Sequence, residues 1–139
     1  MPTVLFLCVA NSARSQMAEG IARHLAPAGW RFSSAGSAPG GLHPLAVTAL
    51  REDGIDISGQ RAKGLDAIDL SQVDTIVTLC AEEVCPVVPV AVKRLHWPLI
   101  DPAMPVPGER QLDAFRAARD RLMDLVPTLW NSPAAVSKG

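Results

Sequence analysis

From residue 3 to residue 8 the chain reads Thr-Val-Leu-Phe-Leu-Cys, an apolar run without polar alternation. That pattern predicts a strand buried on both faces. Asn11 and Ser12 interrupt it. Over residues 15–25 the period changes: Met17, Ala18, Ile21, Ala22 and Leu25 recur at helical spacing. Pro27 and Gly29 end the predicted helix. Residues 30–35 read as a second strand, closed by Gly36 and the loop at Pro39-Gly40-Gly41. Pro44 suits the first turn of a second helix with Leu45, Ala46, Ala49 and Leu50 on its apolar face. Gly54 stands where a helix C-terminal glycine belongs. Residues 73–79 and 93–97 read as the third and fourth strands. The longest helix is expected over 109–129, with Leu112, Phe115, Leu122, Leu125, Val126 and Leu129 facing inward and Pro127 kinking or shortening its last turn.

Strands alternating with helices predict one α/β domain, a parallel sheet with helices on both faces. Ligands then bind beyond the carboxyl ends of the strands. Cys8 ends the first strand, Cys80 follows the third, and Asp101 lies shortly after the fourth. The domain is expected over residues 1–130, with 131–139 a polar, flexible tail.

Composition narrows the classes. The 139 residues are 48% hydrophobic, enough for a real core, and carry a net charge of -1. That charge argues against a nucleic-acid partner held by a broad basic face. No apolar run approaches the ~20 residues that span a bilayer. The opening Met1-Pro2-Thr3 has no basic region of the kind that starts a signal peptide, so the cytosol is the expected location. The three cysteines, Cys8, Cys80 and Cys85, are too few and odd in number for a disulfide framework. In a reducing compartment they read as catalytic, redox or metal-binding. A zinc site built from Cys80, Cys85 and His96 is the weaker alternative, because the pair lacks a CxxC spacing. His24 and His43 are expected on a helix face and in a loop, outside the chemistry.

The densest chemistry lies in Cys8-Val9-Ala10-Asn11-Ser12-Ala13-Arg14-Ser15. Cysteine, five residues, arginine and serine, set between a strand and a helix, make a cradle for a tetrahedral oxyanion. Backbone N–H groups of residues 9–15 converge on the anion, and the helix N-terminus adds partial positive charge. Arg14 supplies a planar fork for two oxygens. The same field favours thiolate over thiol at Cys8, and Ser15 can donate to it.

The stretch Cys8 to Gly20 resembles the signature loop and first helix of the low-molecular-weight protein tyrosine phosphatase superfamily, and within it the thioredoxin-coupled arsenate reductases. Phe32-Ser33-Ser34-Ala35-Gly36, Asp56-Ile57-Ser58, Val77-Thr78-Leu79-Cys80, Cys85-Pro86, His96-Trp97-Pro98 and Asp101-Pro102-Ala103 extend the resemblance along nearly the whole chain. It implies a four-stranded parallel sheet in the order 2-1-3-4, which makes the first and third strands neighbours.

The resemblance also implies a chemistry. Arsenate occupies the loop, with phosphate or sulfate as competing oxyanions. Cys8 attacks arsenic and Asp101 supplies a proton to the departing oxygen. Cys80 then attacks Cys8 and arsenite leaves. Cys85 takes over the disulfide, and thioredoxin or a similar redoxin reduces it. No bound cofactor or metal is implied, and a monomer is expected. A tyrosine phosphatase remains the alternative, although the chain has no Tyr and Asp101-Pro102 runs into Ala103-Met104. A non-catalytic oxyanion-binding or redox-sensing module is the other. If residues 81–84 continue as helix, the Cα atoms of Cys80 and Cys85 stand roughly 8–9 Å apart, beyond the ~7 Å limit for a disulfide, so pairing requires unwinding. Some relatives hold potassium behind the loop. The matching positions here are Asn11, Glu19, Ser34 and Lys63, and an ammonium at Lys63 is expected to take the cation's place beside Glu19.

Overall fold

The computed structural model describes residues 2–8, 13–36, 40–80, 92–102 and 111–131. Four strands, β1 (Thr3–Cys8), β2 (Arg31–Gly36), β3 (Thr75–Cys80) and β4 (Lys93–Leu99), form one sheet in the order β2-β1-β3-β4. Every pairing is parallel. The expected fold class and strand order therefore hold. Cys8 lies opposite Gly36 in the β1–β2 register, and Leu7 lies opposite Thr78 in the β1–β3 register. The ends of β1 and β3 thus share one rim.

The sheet is covered unequally. Val4 and Phe6 face a core built with helices α1 (Arg14–Leu25), α2 (Pro44–Glu52), α3 (Gln111–Leu125) and α4 (Thr128–Asn131). Leu5 and Leu7, on alternate positions of β1, face a smaller core with Ala35, Val73 and Ile76. Among the described residues that second face is covered by the 3-10 turns Leu65–Ala67 and Leu70–Gln72 and their flanks, through Leu65, Ile68 and Leu70. Among the described residues the four α-helices lie on one face and the two short 3-10 helices on the other, so helical segments flank both faces.

The boundaries have local causes. The long helix ends at Leu125, and Val126-Pro127 separates it from α4. Proline has no N–H to donate and crowds the preceding turn. Strand β4 runs two residues beyond the expected Trp97, through Pro98 to Leu99. Proline is tolerated there because β4 is an edge strand and because the register shifts between Thr78 and Cys80. Gly54, at φ 78°, adopts the left-handed conformation expected after α2. Asn131, expected to begin the tail, instead ends α4; residues 132–139 of that tail, and residues 109–110 of the expected long helix, lie outside the described residues.

Helix α1 carries the loop arginine, so its seating fixes the site. Gly20 lets it approach Ile57 closely: a Cβ at residue 20 would lie 2.3 Å from Ile57 Cγ2 and 3.3 Å from Leu50 Cδ1. Alanine in a helix interior ordinarily gains up to about 1 kcal/mol over glycine. Here the overlap reverses the sign, at about 1–3 kcal/mol for an overpacked core. Gly20→Ala should therefore unfold at a lower temperature than the unsubstituted chain in a thermal melt, and an equal or higher Tm would contradict this packing.

Helices α2 and α3 are joined at the surface by ions. Arg116 donates to Glu52 at 2.9 and 2.6 Å, and Arg119 donates to Glu52 at 2.9 Å. The Arg116 hydrogen bond foremost, with Arg119 adding to it, holds the Glu52 carboxyl down from 4.5 to about 2. A depressed carboxyl stabilises the fold above its unfolded value and loses that contribution as pH falls toward its folded value. The stability difference between the unsubstituted chain and Glu52→Gln should be constant above pH 4.5 and shrink toward pH 2. Denaturant titrations across that range measure it, and a gap that persists at the acid end would exclude the linkage.

Candidate active site

Three segments meet at the carboxyl rim of the sheet. Strand β1 delivers Cys8, 2% exposed, and α1 delivers Arg14 and Ser15, 3% and 0% exposed. Ser15 Oγ lies 2.9 Å from Cys8 Sγ, a contact in which either atom can donate. A hydroxyl that donates there stabilises a thiolate. Cys8 is a free thiol in this structure, whereas Cys80 is disulfide-bonded.

Arg14 is positioned by backbone rather than by side chains alone. Its Nη1 donates to the carbonyls of Leu79, at 3.4 Å, and Leu99, at 3.0 Å. Leu79 is the penultimate residue of β3 and Leu99 the last of β4, so the guanidinium straddles the rim. Its Nη2 stands 3.9 Å from Asp101 Oδ2, whose side chain is 30% exposed. The fork is thus held beside Cys8, with a carboxyl on its solvent side.

The start of α1 suits an anion. Its N-cap is Ala13, which has no side-chain cap, and no acidic residue lies in the first turn. The helix dipole there is not opposed by a local carboxylate. A half-buried amide pair holds the helix: Gln60 Nε2 donates to Gln16 Oε1 at 2.8 Å and to Gln16 O at 3.0 Å.

The structure therefore brings Cys8, Arg14, Ser15 and Asp101 together and puts Cys80 at the neighbouring strand end. Val9, Ala10, Asn11 and Ser12 of the expected cradle lie outside the described residues, as do Cys85 and the segment 81–91. Lys63 Nζ stands 3.6 Å from Glu19 Oε1, as expected of the ammonium. Glu19 is itself buried, accepting from Ser34 Oγ at 2.5 Å and pairing with Arg23 at 2.9 Å. His24 is exposed on α1, and His43 caps α2 by accepting from the Leu45 N–H at 3.1 Å. Among the described residues no group of three or more His, Cys, Asp or Glu is placed to hold a metal.

Sequence reasoning missed three features. The carbonyls of Leu79 and Leu99 have no sequence signature, since any residue supplies one. The Gln16–Gln60 pair joins positions 44 residues apart. His96 Nδ1 lies 2.6 Å from Thr78 Oγ1, a contact whose only sequence signal was the position of both residues in the strand-end motifs.

The sequence profile of the low molecular weight phosphotyrosine protein phosphatase family matches residues 3–137. The chain is 44% identical over 122 residues to the arsenate reductase of Bacillus subtilis, covering 86% of this chain and 88% of that one. It is 46% identical over 132 residues to arsenate reductase 2 of Staphylococcus saprophyticus, covering 94% and 97%. The fold is similar to that of a thioredoxin-dependent arsenate reductase of Corynebacterium glutamicum, with a TM-score of 0.68, 30% identity, and coverage of 93% of this chain and 62% of that one.

Proposed function

The chain belongs to the low molecular weight phosphotyrosine protein phosphatase family, and from that premise we propose that it is an arsenate reductase that passes two electrons from its cysteines to arsenic. The observation that carries the proposal is the free Cys8 thiol, 2.9 Å from Ser15, next to a strand end where Cys80 is disulfide-bonded. A relay that has handed its disulfide onward leaves this state: the first nucleophile reduced, the second oxidised.

The steps balance as follows. Cys8 thiolate forms a bond to arsenic, and an arsenic–oxygen bond breaks. Asp101, 3.9 Å from Arg14 on the solvent side, hands a proton to the leaving oxygen. Cys80 thiolate then attacks Cys8 Sγ. The sulfur–arsenic bond breaks with its electron pair on arsenic, which departs as arsenite. Cys85 attacks Cys80, releases Cys8 as thiolate, and holds the disulfide with Cys80. A thioredoxin-type dithiol reduces that bond by exchange. Residues 9–15 and the Arg14 fork bind the oxyanion, so phosphate and sulfate compete with arsenate. A cytosolic setting belongs to the same proposal, because it supplies the reductant. No helix among the described residues is long and apolar enough to cross a membrane.

The test supplies arsenate, thioredoxin, thioredoxin reductase and NADPH and measures arsenite. Steady production that stops on Cys80→Ser supports the relay. Aryl phosphate hydrolysis that outpaces arsenite formation and survives Cys80→Ser would replace it with a phosphatase. Binding of arsenate without turnover would replace it with a sensing module.

The Lys63–Glu19 ion pair supports a further expectation. An ammonium 3.6 Å from a buried carboxylate occupies the electrostatic role of a bound cation. Turnover and Tm should therefore be equal in potassium and in sodium at matched ionic strength. A gain specific to potassium would show that a cation site persists beside Lys63.

A further inference from the structure

Helix α1 supplies Arg14 and Ser15 to the site, so whatever fixes its first turn acts on Cys8. Residues 55–64, between α2 and the turn Leu65–Ala67, run along α1 and meet it at three places. Ile57 occupies the space beside Gly20, Gln60 donates to Gln16, and Lys63 pairs with Glu19. Positions 16, 19 and 20 are spaced i, i+3 and i+4, so they form one face of the helix. The far end of the segment is tied to the sheet. The Gly36 N–H donates to the Lys63 carbonyl at 3.0 Å, and Gly36 is the register partner of Cys8. Residues 55–64 are thus a strap across α1 that ends on β2, the strand beside the nucleophile.

Of these three contacts, only that of Gln60 falls on the first turn of α1. Gln16 directly follows Arg14 and Ser15, and it is 0% exposed. A polar side chain buried so fully has to be hydrogen-bonded. Gln60 Nε2 donates to its side-chain oxygen at 2.8 Å and to its main-chain carbonyl at 3.0 Å. One amide thereby fixes both the backbone and the side chain of Gln16. Gln60 itself stands on a firm base. Its N–H donates to the Ile57 carbonyl at 2.9 Å, which closes a turn, and Ile55 and Ile57 are buried in the main core.

We infer that Gln60 is a positioning residue for the oxyanion site. By pinning Gln16 it sets where the Arg14 fork, the Ser15 hydroxyl and the first N–H groups of α1 stand. These groups act at short range: Ser15 Oγ lies 2.9 Å from Cys8 Sγ, and a hydrogen bond weakens steeply as it bends. The first N–H groups of a helix have no partner within it, so the first turn is the part that most needs holding from outside. Among the described residues the Gln60 side chain hydrogen-bonds Gln16, so it acts through Gln16 and not on the anion.

This inference rests on the oxyanion-binding part of the reductase reading, and its test does not require turnover. The full chain carrying Cys80→Ser and Cys85→Ser keeps Cys8 as its one thiol. Iodoacetamide alkylates that thiol, and inorganic phosphate bound beside it slows the reaction. The phosphate concentration that halves the alkylation rate is measured with Gln60 and with Gln60→Met, which keeps the length of the side chain and removes its donor. Gln60→Met should raise that concentration about fivefold, the worth of one ordinary hydrogen bond. Gln60→Glu has the same shape but turns only acceptors toward Gln16. It should do the same, and it provides the readout if Gln60→Met does not fold.

Two controls separate positioning from stability. Glu52→Gln removes the ion pairs between α2 and α3, away from the strap, and should lower Tm without changing the phosphate requirement. With Gln16→Met already present, a further Gln60→Met should add less than it does alone, because the two changes break one shared contact. A phosphate requirement unchanged by Gln60→Met overturns the inference. So does one that merely follows Tm in Gln60→Met and Glu52→Gln alike, or one to which the Gln16 and Gln60 changes contribute additively. Absence of any phosphate protection with Gln60 in place would instead overturn the oxyanion reading itself, whatever residue stands at position 60.

Discussion

Cys8→Ser should leave a folded protein that makes no arsenite. Serine matches the thiol closely in volume, and its hydroxyl can keep the contact to Ser15, now 2.9 Å from Cys8 Sγ. The buried strand end would therefore lose little packing, and Tm should stay near that of the unsubstituted chain. Chemistry is a different matter. A hydroxyl is a far weaker acid and nucleophile than a thiol, and oxygen cannot form the disulfide that releases arsenic(III). Removing a nucleophile from a concerted site lowers turnover by about a thousandfold or more. Arsenite measured over several turnovers reads this directly, and release at near the unsubstituted rate would sink the proposed mechanism.

Arg14→Lys should cost nearly as much, for a geometric reason. Lysine keeps the charge, so a purely electrostatic role would survive. The guanidinium does more: Nη1 reaches the carbonyls of Leu79 and Leu99 at 3.4 and 3.0 Å, and Nη2 faces Asp101 at 3.9 Å. A compact ammonium cannot hold both strand ends and still present two parallel donors to an oxyanion. Loss of one anion-binding donor typically lowers turnover by about 10²–10³. Leaving a buried carbonyl unpaired costs about 1–3 kcal/mol as well. The expected result is a kcat/KM for arsenate down by about two orders of magnitude together with a lower Tm. Unchanged kcat/KM would mean that Arg14 contributes charge alone.

Much of this molecule was legible locally. The apolar run ending at Cys8 and the helical spacing from Met17 to Leu25 located the first strand and the first helix. The interval from Cys8 to Arg14 and Ser15 named three of the candidate site residues for the same reason: a strand end and the N-terminus of the next helix lie only a few positions apart in the chain. Lys63 was placed beside Glu19 by resemblance, not by any period in the chain. The strand order 2-1-3-4 came the same way, since alternating strands and helices fix a parallel sheet but not which strands adjoin. Boundaries shifted where context overrode local rules. Strand β4 continues through Pro98 because an edge strand has an unpaired side on which a missing N–H costs nothing.

Sequence by itself determined the elements, the cysteine–arginine motif and the candidate set Cys8, Arg14, Cys80 and Asp101. Tertiary structure alone decided what holds them. Arg14 is anchored by carbonyls 65 and 85 residues away, Gln60 grips Gln16 across 44, and His96 meets Thr78 across 18. Periodicity reports which side of an element is buried, because burial repeats with the backbone's own geometry. It carries no information about which carbonyl or hydroxyl lies across the register, because that depends on how separate strands align. A one-residue slip of β4 against β3 would keep a similar apolar pattern on that half-exposed strand and move His96 to the other face of the sheet.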